Sequence, residues 1–472
     1  MSGPWQPYQQ AEGALRTVEQ GLAAAPADPM LLFERARLLD RLGRGDLARQ
    51  AYIDVLARDF RHEGALLGLG ALLFAQRFTS AARTSFEQAV AINPANLEAR
   101  VRLGDLLRLA EQGEPARAEY EAALAIDPAC PAAHQGLSYL LDETDPAQAA
   151  EHRRLGFAGS GVVTAAYRGS GVPVRVLRIV SALGGNVPLD EVLDDRRFLV
   201  HTVVAEFAGP DLALPAHDVV FNAVGDAGRC AETLRGMPAL LSRTSAPVIN
   251  NPERVLRTAR DSTQLSAAGA VVPACVEMTR ATIEAGALPG FGFPLLLRSP
   301  GFHTGQHFRQ VQNATELRDA LPALPGETLY AMQYVDTRSA DGRFRKYRVM
   351  LIGGELLPLH LAASSQWKVH YFTADMATDA ALRREEAAFL EDMPGVLGPA
   401  AMTALRAIPA ILRLDYAGVD CGLTADGRLV VFEANATMTI VSPTEDPIWD
   451  YRRAAIRRAI EAAQALIGVR AA

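Results

Sequence analysis

The sequence predicts a multidomain protein in which an all-α repeat solenoid is followed by an α/β region. Three features support this fold class. The first third of the chain repeats itself every 34 residues, the middle alternates apolar strands with helices, and the last third carries antiparallel strands that end in an acidic hairpin. At 472 residues the chain exceeds one typical core. Its length alone suggests about two to four domains.

The repeat extends from residue 10 to residue 155 and keeps three columns in register at steps of 34. The columns are Ala14, Ala48, Ala82, Ala116 and Ala150; Val18, Tyr52, Phe86 and Tyr120; and Leu22, Leu56, Val90 and Leu124. Turn motifs such as "INP" and "IDP" place a capping residue before a helix-starting proline. This period resembles the tetratricopeptide repeat. It implies stacked helix pairs over residues 1–156, with a concave groove open to a partner.

A Gly- and Ser-rich stretch at 157–172 breaks the helical period and predicts a linker. Between 173 and 250, near-continuous apolar strands and a helix indicate a buried parallel sheet. Ligands of such sheets collect at the carboxyl ends of the strands. Plain turns are the alternative reading of these loops. The polar and glycine residues at those ends are Gly184, Gly185, Asn186, Asn222 and Gly225.

The hairpin "DCGLTADGRLVVFEAN" combines strand residues with acids. Its Asp426-Gly427 pair predicts a two-residue turn, which places Asp420 opposite Glu433. Asn435 projects on the same face as Glu433 because side chains alternate with period two. Directly opposed carboxylates repel, so the pair predicts a bound cation, most simply Mg²⁺. A solvated acidic face is the alternative.

Basic residues are concentrated on the strands that precede this hairpin. One apolar strand ends in Arg298, and the later strands carry Arg345, Lys346, Arg348, His360 and Lys368. Cations that face a carboxylate pair suit a nucleoside triphosphate, whose phosphates bind the cations and share Mg²⁺ with the acids.

With these elements, residues 172–465 resemble the ATP-grasp superfamily, in particular its ribosomal-protein glutamate ligase and D-alanyl-D-alanine ligase branches. The segments "GVD" and "FEANATM" carry the most specific part of the resemblance. It implies an α/β ATP-grasp fold with a pre-ATP-grasp subdomain at 173–250 and the nucleotide-binding and catalytic lobes at 251–472. It also implies ATP and Mg²⁺ as cofactors, with Asp420, Glu433 and Asn435 as the metal ligands.

The resemblance further implies residues that contact the phosphates. Arg298 stands where the family has a strand-end lysine, although its fork geometry differs. Residues 300–308 occupy the position of the phosphate lid. Arg348 would approach the phosphates and the acyl group, and Lys368 would be a further catalytic cation.

The chain departs from the family upstream, where Arg260-Asp261-Ser262 replaces an Asp-Lys pair. Either Arg257 or Arg260 takes over that phosphate contact, or the contact is missing. The segment "AMQYVD" matches the adenine-binding connection. Its implied ligands are the backbone of Gln333, Tyr334 and Val335, and Asp336 for the ribose.

Composition limits the classes of partner. Hydrophobic residues make up 49% and charged residues 21%, as in ordinary globular proteins. The net charge of −7 gives no basic footprint for nucleic acid. Neither a secretory leader nor an apolar run of about eighteen residues is present, so we expect a cytoplasmic protein that does not bind membranes. The cysteines lack the C-x-x-C spacing of zinc sites.

The resemblance implies an ADP-forming carboxylate–amine ligase that makes an amide bond through an acylphosphate. Two alternatives stay open: phosphorylation of a hydroxyl, and a non-catalytic scaffold that senses nucleotide. The fused repeats favour a substrate with a peptide or protein portion. A homo-oligomer is compatible with all of these readings.

Overall fold

The computed structural model describes residues 6–258, 263–300, 306–369, 375–444 and 446–472. The chain divides into two compact units, Met1–Pro173 with Asp195–Leu214, and Val174–Asp194 with Pro215–Ala472. Residues 195–214 fall in the first unit in this division, and the predicted α/β subdomain at 173–250 stays a prediction. The predicted linker at 157–172 and the predicted boundary at 250 stay predictions.

The described helices and strands follow the predicted order. The helices are α1 Gln6–Ala24, α2 Pro29–Arg41, α3 Gly45–Arg58, α4 Glu63–Ala75, α5 Thr79–Ile92, α6 Leu97–Leu109, α7 Gly113–Ile126, α8 Pro131–Leu141, α9 Pro146–Phe157, α10 Ala231–Leu241, α11 Pro252–Leu256, α12 Arg280–Glu284, α13 Ala314–Ala320, α14 Ala380–Glu391, α15 Met393–Leu412 and α16 Asp450–Ala471. The strands are β1 Val162–Thr164, β2 Val174–Val180, β3 Phe198–Val204, β4 Val219–Asn222, β5 Val248–Ile249, β6 Cys275–Thr279, β7 Leu295–Arg298, β8 Phe308–Val311, β9 Thr328–Gln333, β10 Phe344–Ile352, β11 Glu355–Ser364, β12 Tyr416–Leu423 and β13 Leu429–Asn435.

In the first unit, the first two repeat columns are buried in the central repeats, and the first column becomes exposed at both ends. Ala48, Ala82 and Ala116 are fully buried, but Ala14 and Ala150 are exposed. The third column is only half-buried. Before Leu56, Val90 and Leu124, it is the preceding residue that is buried in the core. Terminal repeats lack a neighbour on one side, so the constraint on their packing is weaker.

Aromatic rings of the second column fill the space between consecutive helix pairs. The Tyr120 ring lies so close to Gly136 that an added Cβ would approach it to 2.2 Å. Its hydroxyl donates to Asp105 Oδ1 at 2.7 Å. Glycine at this position therefore makes room for the ring and allows close helix packing.

The second unit contains a parallel arrangement and two antiparallel sheets. Strand β4 pairs in parallel with β2 and with β5, as the sequence predicts. The antiparallel sheets have the strand orders β6-β9-β7-β8 and β11-β10-β12-β13. The last of these sheets carries the predicted acidic residues.

Helix α15 is the most apolar long helix in the described part of the chain. By length and composition it could cross a membrane, with a mean hydropathy of 1.5. Its Leu397, Met402, Leu405 and Ile408 side chains are buried within the α/β unit. This burial is typical of a core helix in a folded domain.

Candidate functional site

The acidic hairpin has the predicted register at its acids and a different turn. Asp420 on β12 pairs with Glu433 on β13. The predicted two-residue turn is wrong, because the strands are joined by residues 424–428, with Gly427 at φ +78°. A bulge at Phe432 restores the register, since Cys421 pairs with Val431 while Asp420 pairs with Glu433.

The carboxylate of Asp420 is buried between two cations of strand β10. Arg348 donates from Nε to Oδ1 at 2.6 Å and from Nη2 to Oδ2 at 2.8 Å. Lys346 Nζ donates to Oδ2 at 3.0 Å. Burial by itself raises the pKa of Asp420, but the Arg348 hydrogen bonds and the two positive charges outweigh it and hold that pKa below its usual range. Asp420 is therefore ionised under all ordinary conditions.

One row of paired residues crosses the whole sheet. His360 on β11 pairs with Arg348 on β10, which pairs with Asp420, which pairs with Glu433. Residues directly paired in an antiparallel sheet share a face. The His360 pKa lies well below its ordinary value because the ring is buried and lies near the Arg348 charge. The row therefore places a neutral imidazole, a guanidinium and two carboxylates side by side.

The exposed Glu433 and the half-buried Asn435 lie at the β13 end of this face. The Asn435 amide donates from Nδ2 to Glu433 Oε1 at 2.6 Å, and its Oδ1 accepts from the Thr437 backbone N–H at 3.0 Å. Among the described residues no group of three His, Cys, Asp or Glu side chains could hold a metal ion. A cation here would therefore need the amide oxygen as well as the two carboxylates. This all-oxygen donor set fits Mg²⁺.

The sheet β6-β9-β7-β8 has one face packed into a core and one half-open face. Leu295, Leu297 and Ala331 belong to the buried cluster. Arg298 and Leu296 alternate with these residues and are only half-buried, as are their partners on β8 and β9. The open face is thus an apolar surface with a guanidinium at its end.

Arg298 also connects this sheet to the segment that follows β11. Its guanidinium carbon lies 5.9 Å from the centroid of the Phe308 ring. Phe308 makes an edge contact with Trp367, with ring centroids 5.0 Å apart. Trp367, in the segment after β11, therefore packs against Phe308 of β8.

The predicted strand placement of Lys368 is wrong. Strand β11 ends at Ser364, whose Oγ accepts the Gln366 backbone N–H at 3.1 Å and turns the chain away. Lys368 lies in the following bends with an exposed side chain. Its catalytic role stays a prediction.

The predicted adenine-binding segment begins at the end of strand β9, which terminates at Gln333. The backbone N–H of Gln333 donates to Ala274 O at 2.8 Å, so this donor is already engaged. Tyr334 and Val335 are half-buried, and burial raises the pKa of the Tyr334 hydroxyl, with the Asp336 charge adding to the shift. Asp336 is exposed and accepts the Arg338 backbone N–H at 2.9 Å.

The carboxyl ends of the parallel strands meet the turn after Asn435. A Cβ on Gly225 would lie 2.9 Å from the Ala436 backbone. Gly185 O accepts the backbone N–H groups of Gly225 and Asp226, each at 3.0 Å. The structure thus brings the two predicted ligand regions of this unit together.

Asn250 holds the start of strand β12, a role that sequence reasoning missed. Its Oδ1 accepts the backbone N–H groups of Asp415 at 3.0 Å and Tyr416 at 2.9 Å. Its Nδ2 donates to Tyr416 O at 2.7 Å. The residue is fully buried at φ +60°, a conformation that asparagine tolerates better than most residues. The Asn-Asn-Pro stretch was the available signal.

Two predicted elements lie outside the described residues. They are Arg260, in the segment 259–262, and most of the phosphate lid, in 301–305. Arg257 is described and exposed. The identity of the upstream cation stays a prediction.

Part of the first unit matches a known family. Residues 73–140 match the family described as Tetratricopeptide repeat. The N-terminal region is a tetratricopeptide-repeat array. This match confirms the predicted repeats. The chain is also similar to the Thermus thermophilus tetratricopeptide-repeat protein TTC0263, at 21% identity over 33% of this chain and 86% of that chain, with a TM-score of 0.28.

Beyond the repeats, the chain is similar to two solved structures. One is the VanG D-Ala:D-Ser ligase from Enterococcus faecalis, at 14% identity over 62% of this chain and 99% of that chain, with a TM-score of 0.40. The other is the RimK domain ATP-grasp protein from Sphaerobacter thermophilus, at 16% identity over 62% of this chain and 98% of that chain, with a TM-score of 0.39. No curated protein sequence matches the chain.

Proposed function

We propose that the α/β unit is an ATP-grasp ligase that joins a carboxylate to an amine with formation of ADP and phosphate. The observation that carries this proposal is the shared face of the sheet β11-β10-β12-β13. There Arg348 and Lys346 lie beside Asp420, which is paired in register with Glu433. Cations for phosphate oxygens and acids for a divalent cation stand together on one rigid surface.

Within this proposal each group has a role that suits its position. Asp420, Glu433 and Asn435 would hold Mg²⁺, which supplies charge neutralisation at the phosphate oxygens when bound. Arg348 and Arg298 would bind phosphate oxygens, and Arg298 lies at the end of an apolar sheet face that suits a nucleotide base. Tyr334, Val335 and Asp336 would border the base and ribose.

The reaction needs no covalent enzyme nucleophile. An oxygen of the substrate carboxylate attacks the γ-phosphorus, the bond to the β–γ bridging oxygen breaks, and ADP leaves. The amine nitrogen then attacks the acyl carbon, phosphate leaves, and the nitrogen loses a proton. Cys421, the cysteine beside Asp420, is buried with a raised pKa, which fits a core residue rather than a nucleophile. Catalysis would rest on positioning and electrostatic stabilisation.

The repeats support a substrate that is part of a peptide or protein, because such arrays present an extended groove. A second candidate is a scaffold that binds nucleotide without turnover. The engagement of both Asp420 oxygens by cations favours it, since an acid held in this way is not yet available to a metal ion.

Hydroxylamine trapping separates these functions. The full chain is incubated with ATP, Mg²⁺, hydroxylamine and a panel of amino acids and peptides, and both ADP and hydroxamates are measured. We expect a hydroxamate with the correct carboxylate, because hydroxylamine captures the acylphosphate. A phosphorylated hydroxyl without hydroxamate would replace the ligase with a kinase. Absence of substrate-dependent ADP across the panel would favour the scaffold.

A further inference from the structure

The pairing of Asp420 with two cations has a consequence for how a metal ion enters the site. We propose, on the basis of the function proposed above, that Lys346 and Arg348 occupy the metal ligand Asp420 in the nucleotide-free protein. They release it only when a triphosphate accepts their hydrogen bonds. Divalent-cation binding and nucleotide binding are then coupled by an exchange of partners.

The hydrogen bonds at Asp420 leave little room for a metal ion. A carboxylate offers about four lone-pair positions. Arg348 takes one on each oxygen and Lys346 takes a further one on Oδ2. A cation arriving alone must use the single remaining position, on Oδ1, or displace a charged donor from an acid that is only 3% exposed.

The local charge balance also opposes the binding of a metal ion in the absence of nucleotide. Lys346 and Arg348 carry two positive charges, and Asp420 and Glu433 carry two negative charges. The Lys346 and Arg348 side chains are only 17% and 20% exposed, so water screens them poorly. A divalent cation alone would leave an excess of positive charge at this place. A triphosphate brings the negative charge that offsets it and supplies oxygens to both donors.

Of the two donors to Asp420, Lys346 is the one whose substitution removes the fewest hydrogen bonds. It reaches Asp420 through one hydrogen bond, whereas Arg348 binds both oxygens. Lys346→Met keeps a long apolar stem and removes the charge, so it should free one position on Oδ2. Lys346 is thus a positioning residue, because it acts on the metal through Asp420.

The test measures Mn²⁺ binding to the nucleotide-free full chain by the loss of the free-ion electron paramagnetic resonance signal. Removal of one nearby positive charge is expected to tighten Mn²⁺ binding by about tenfold in Lys346→Met. Adding Asp420→Asn to this variant should abolish the gain. Unchanged Mn²⁺ affinity in Lys346→Met would overturn the proposal, as would a gain that survives in the double variant.

Matched variants control for folding and general charge. Arg345→Met removes a cation from the adjacent position of β10, where the partners are Asp341 and Glu385 rather than Asp420. It should leave Mn²⁺ affinity unchanged. A gain equal to that of Lys346→Met would overturn the proposal. If Lys346→Met does not show the wild-type thermal transition, Lys346→Gln is measured in its place, because it also removes the charge.

Nucleotide provides the second arm of the experiment. With saturating AMP-PNP, and with the Mn²⁺ bound by AMP-PNP in a protein-free blank subtracted, wild-type affinity for Mn²⁺ should rise. The difference from Lys346→Met should shrink, because the triphosphate then accepts the hydrogen bonds of Lys346 and Arg348. A wild-type protein that binds Mn²⁺ equally with and without AMP-PNP would overturn the coupling. None of these measurements needs turnover. A failure of the exchange is therefore distinguishable from a failure of ligase activity, which the hydroxamate assay reports.

Discussion

The two units differ in how deeply they bury their ion pairs. In the repeats, several pairs join residues one helical turn apart on the surface, as between Arg83 and Glu87, whose side chains are 40% and 46% exposed. The pair between Arg153 and Asp142, farther apart in the chain, keeps side-chain exposures of 13% and 20%. In the α/β unit, the pair between Arg452 and Glu386 joins distant segments and is buried, at 3% and 0%. Exposed pairs contribute little to stability, whereas a buried charge depends on its partner, so the comparison indicates that the interior of the α/β unit depends more on its ion pairs.

The largest expected effect is on activity in the α/β unit. Glu433→Gln removes one of the two paired acids with almost no change in shape, so it should abolish ADP formation. Because opposed carboxylates repel without a cation, the metal-free protein should keep or slightly raise its melting temperature. The assays are substrate-dependent ADP release and thermal unfolding. Near-wild-type turnover at saturating Mg²⁺ would contradict the metal assignment.

The next effect tests the contrast between buried and exposed pairs directly. Glu386→Gln leaves the buried Arg452 guanidinium without its carboxylate, which should cost about 3–5 kcal/mol of unfolding free energy. Arg83→Ala in the repeats is the matched surface change and should cost less than about 1 kcal/mol. Denaturant unfolding measures both. Equal losses would remove the distinction between the two units.

A smaller effect is expected for the cation on the open sheet face. Arg298→Ala should lower kcat by about a hundredfold, as loss of one positioned electrostatic group typically does. Arg309→Ala removes a cation from the adjacent strand β8, where Arg309 is exposed, and serves as the control. Steady-state kinetics of ADP release compares the two. Normal turnover in Arg298→Ala would mean that the nucleotide lies elsewhere.

The smallest effect concerns a histidine pair in the repeats. His134 Nε2 lies 3.0 Å from Pro128 O, which can only accept, so His134 Nδ1 accepts from His152 Nδ1 at 2.8 Å. Burial, followed by the His134 charge, lowers the pKa of His152, while Arg117 on α7 adds to the shift and Glu151 and Glu121 oppose it.

The sign follows from proton binding. The unfolded chain binds a proton at His152 near pH 6.5, and the folded protein does so only at lower pH. This contribution to stability is therefore complete above about pH 6.5 and is lost as the pH falls toward the lower folded pKa. The measurement compares the acid-induced loss of melting temperature in wild type and in His152→Gln. This comparison separates the contribution of His152 from that of His360, which is present in both proteins. An identical loss in both proteins would exclude a role for the pair.

The sequence by itself determined the repeats, because each helix pair contacts mainly its neighbours in the chain. A period of 34 residues is therefore sufficient to identify Ala48, Ala82 and Ala116 as core. The pairing of Asp420 with Glu433 was also predictable, although for a partly wrong reason. The longer turn and the bulge at Phe432 offset one another.

Only the tertiary structure decided what surrounds Asp420. Its partners Lys346 and Arg348 are 74 and 72 residues away, and Asn250 reaches Tyr416 across 166 residues. Lys368, which the same strand pattern favoured as a functional cation, lies beyond the end of β11. Residue types indicated that cations and acids would be present. Which of them meet depends on strand order and register between distant segments, and no local pattern specifies either.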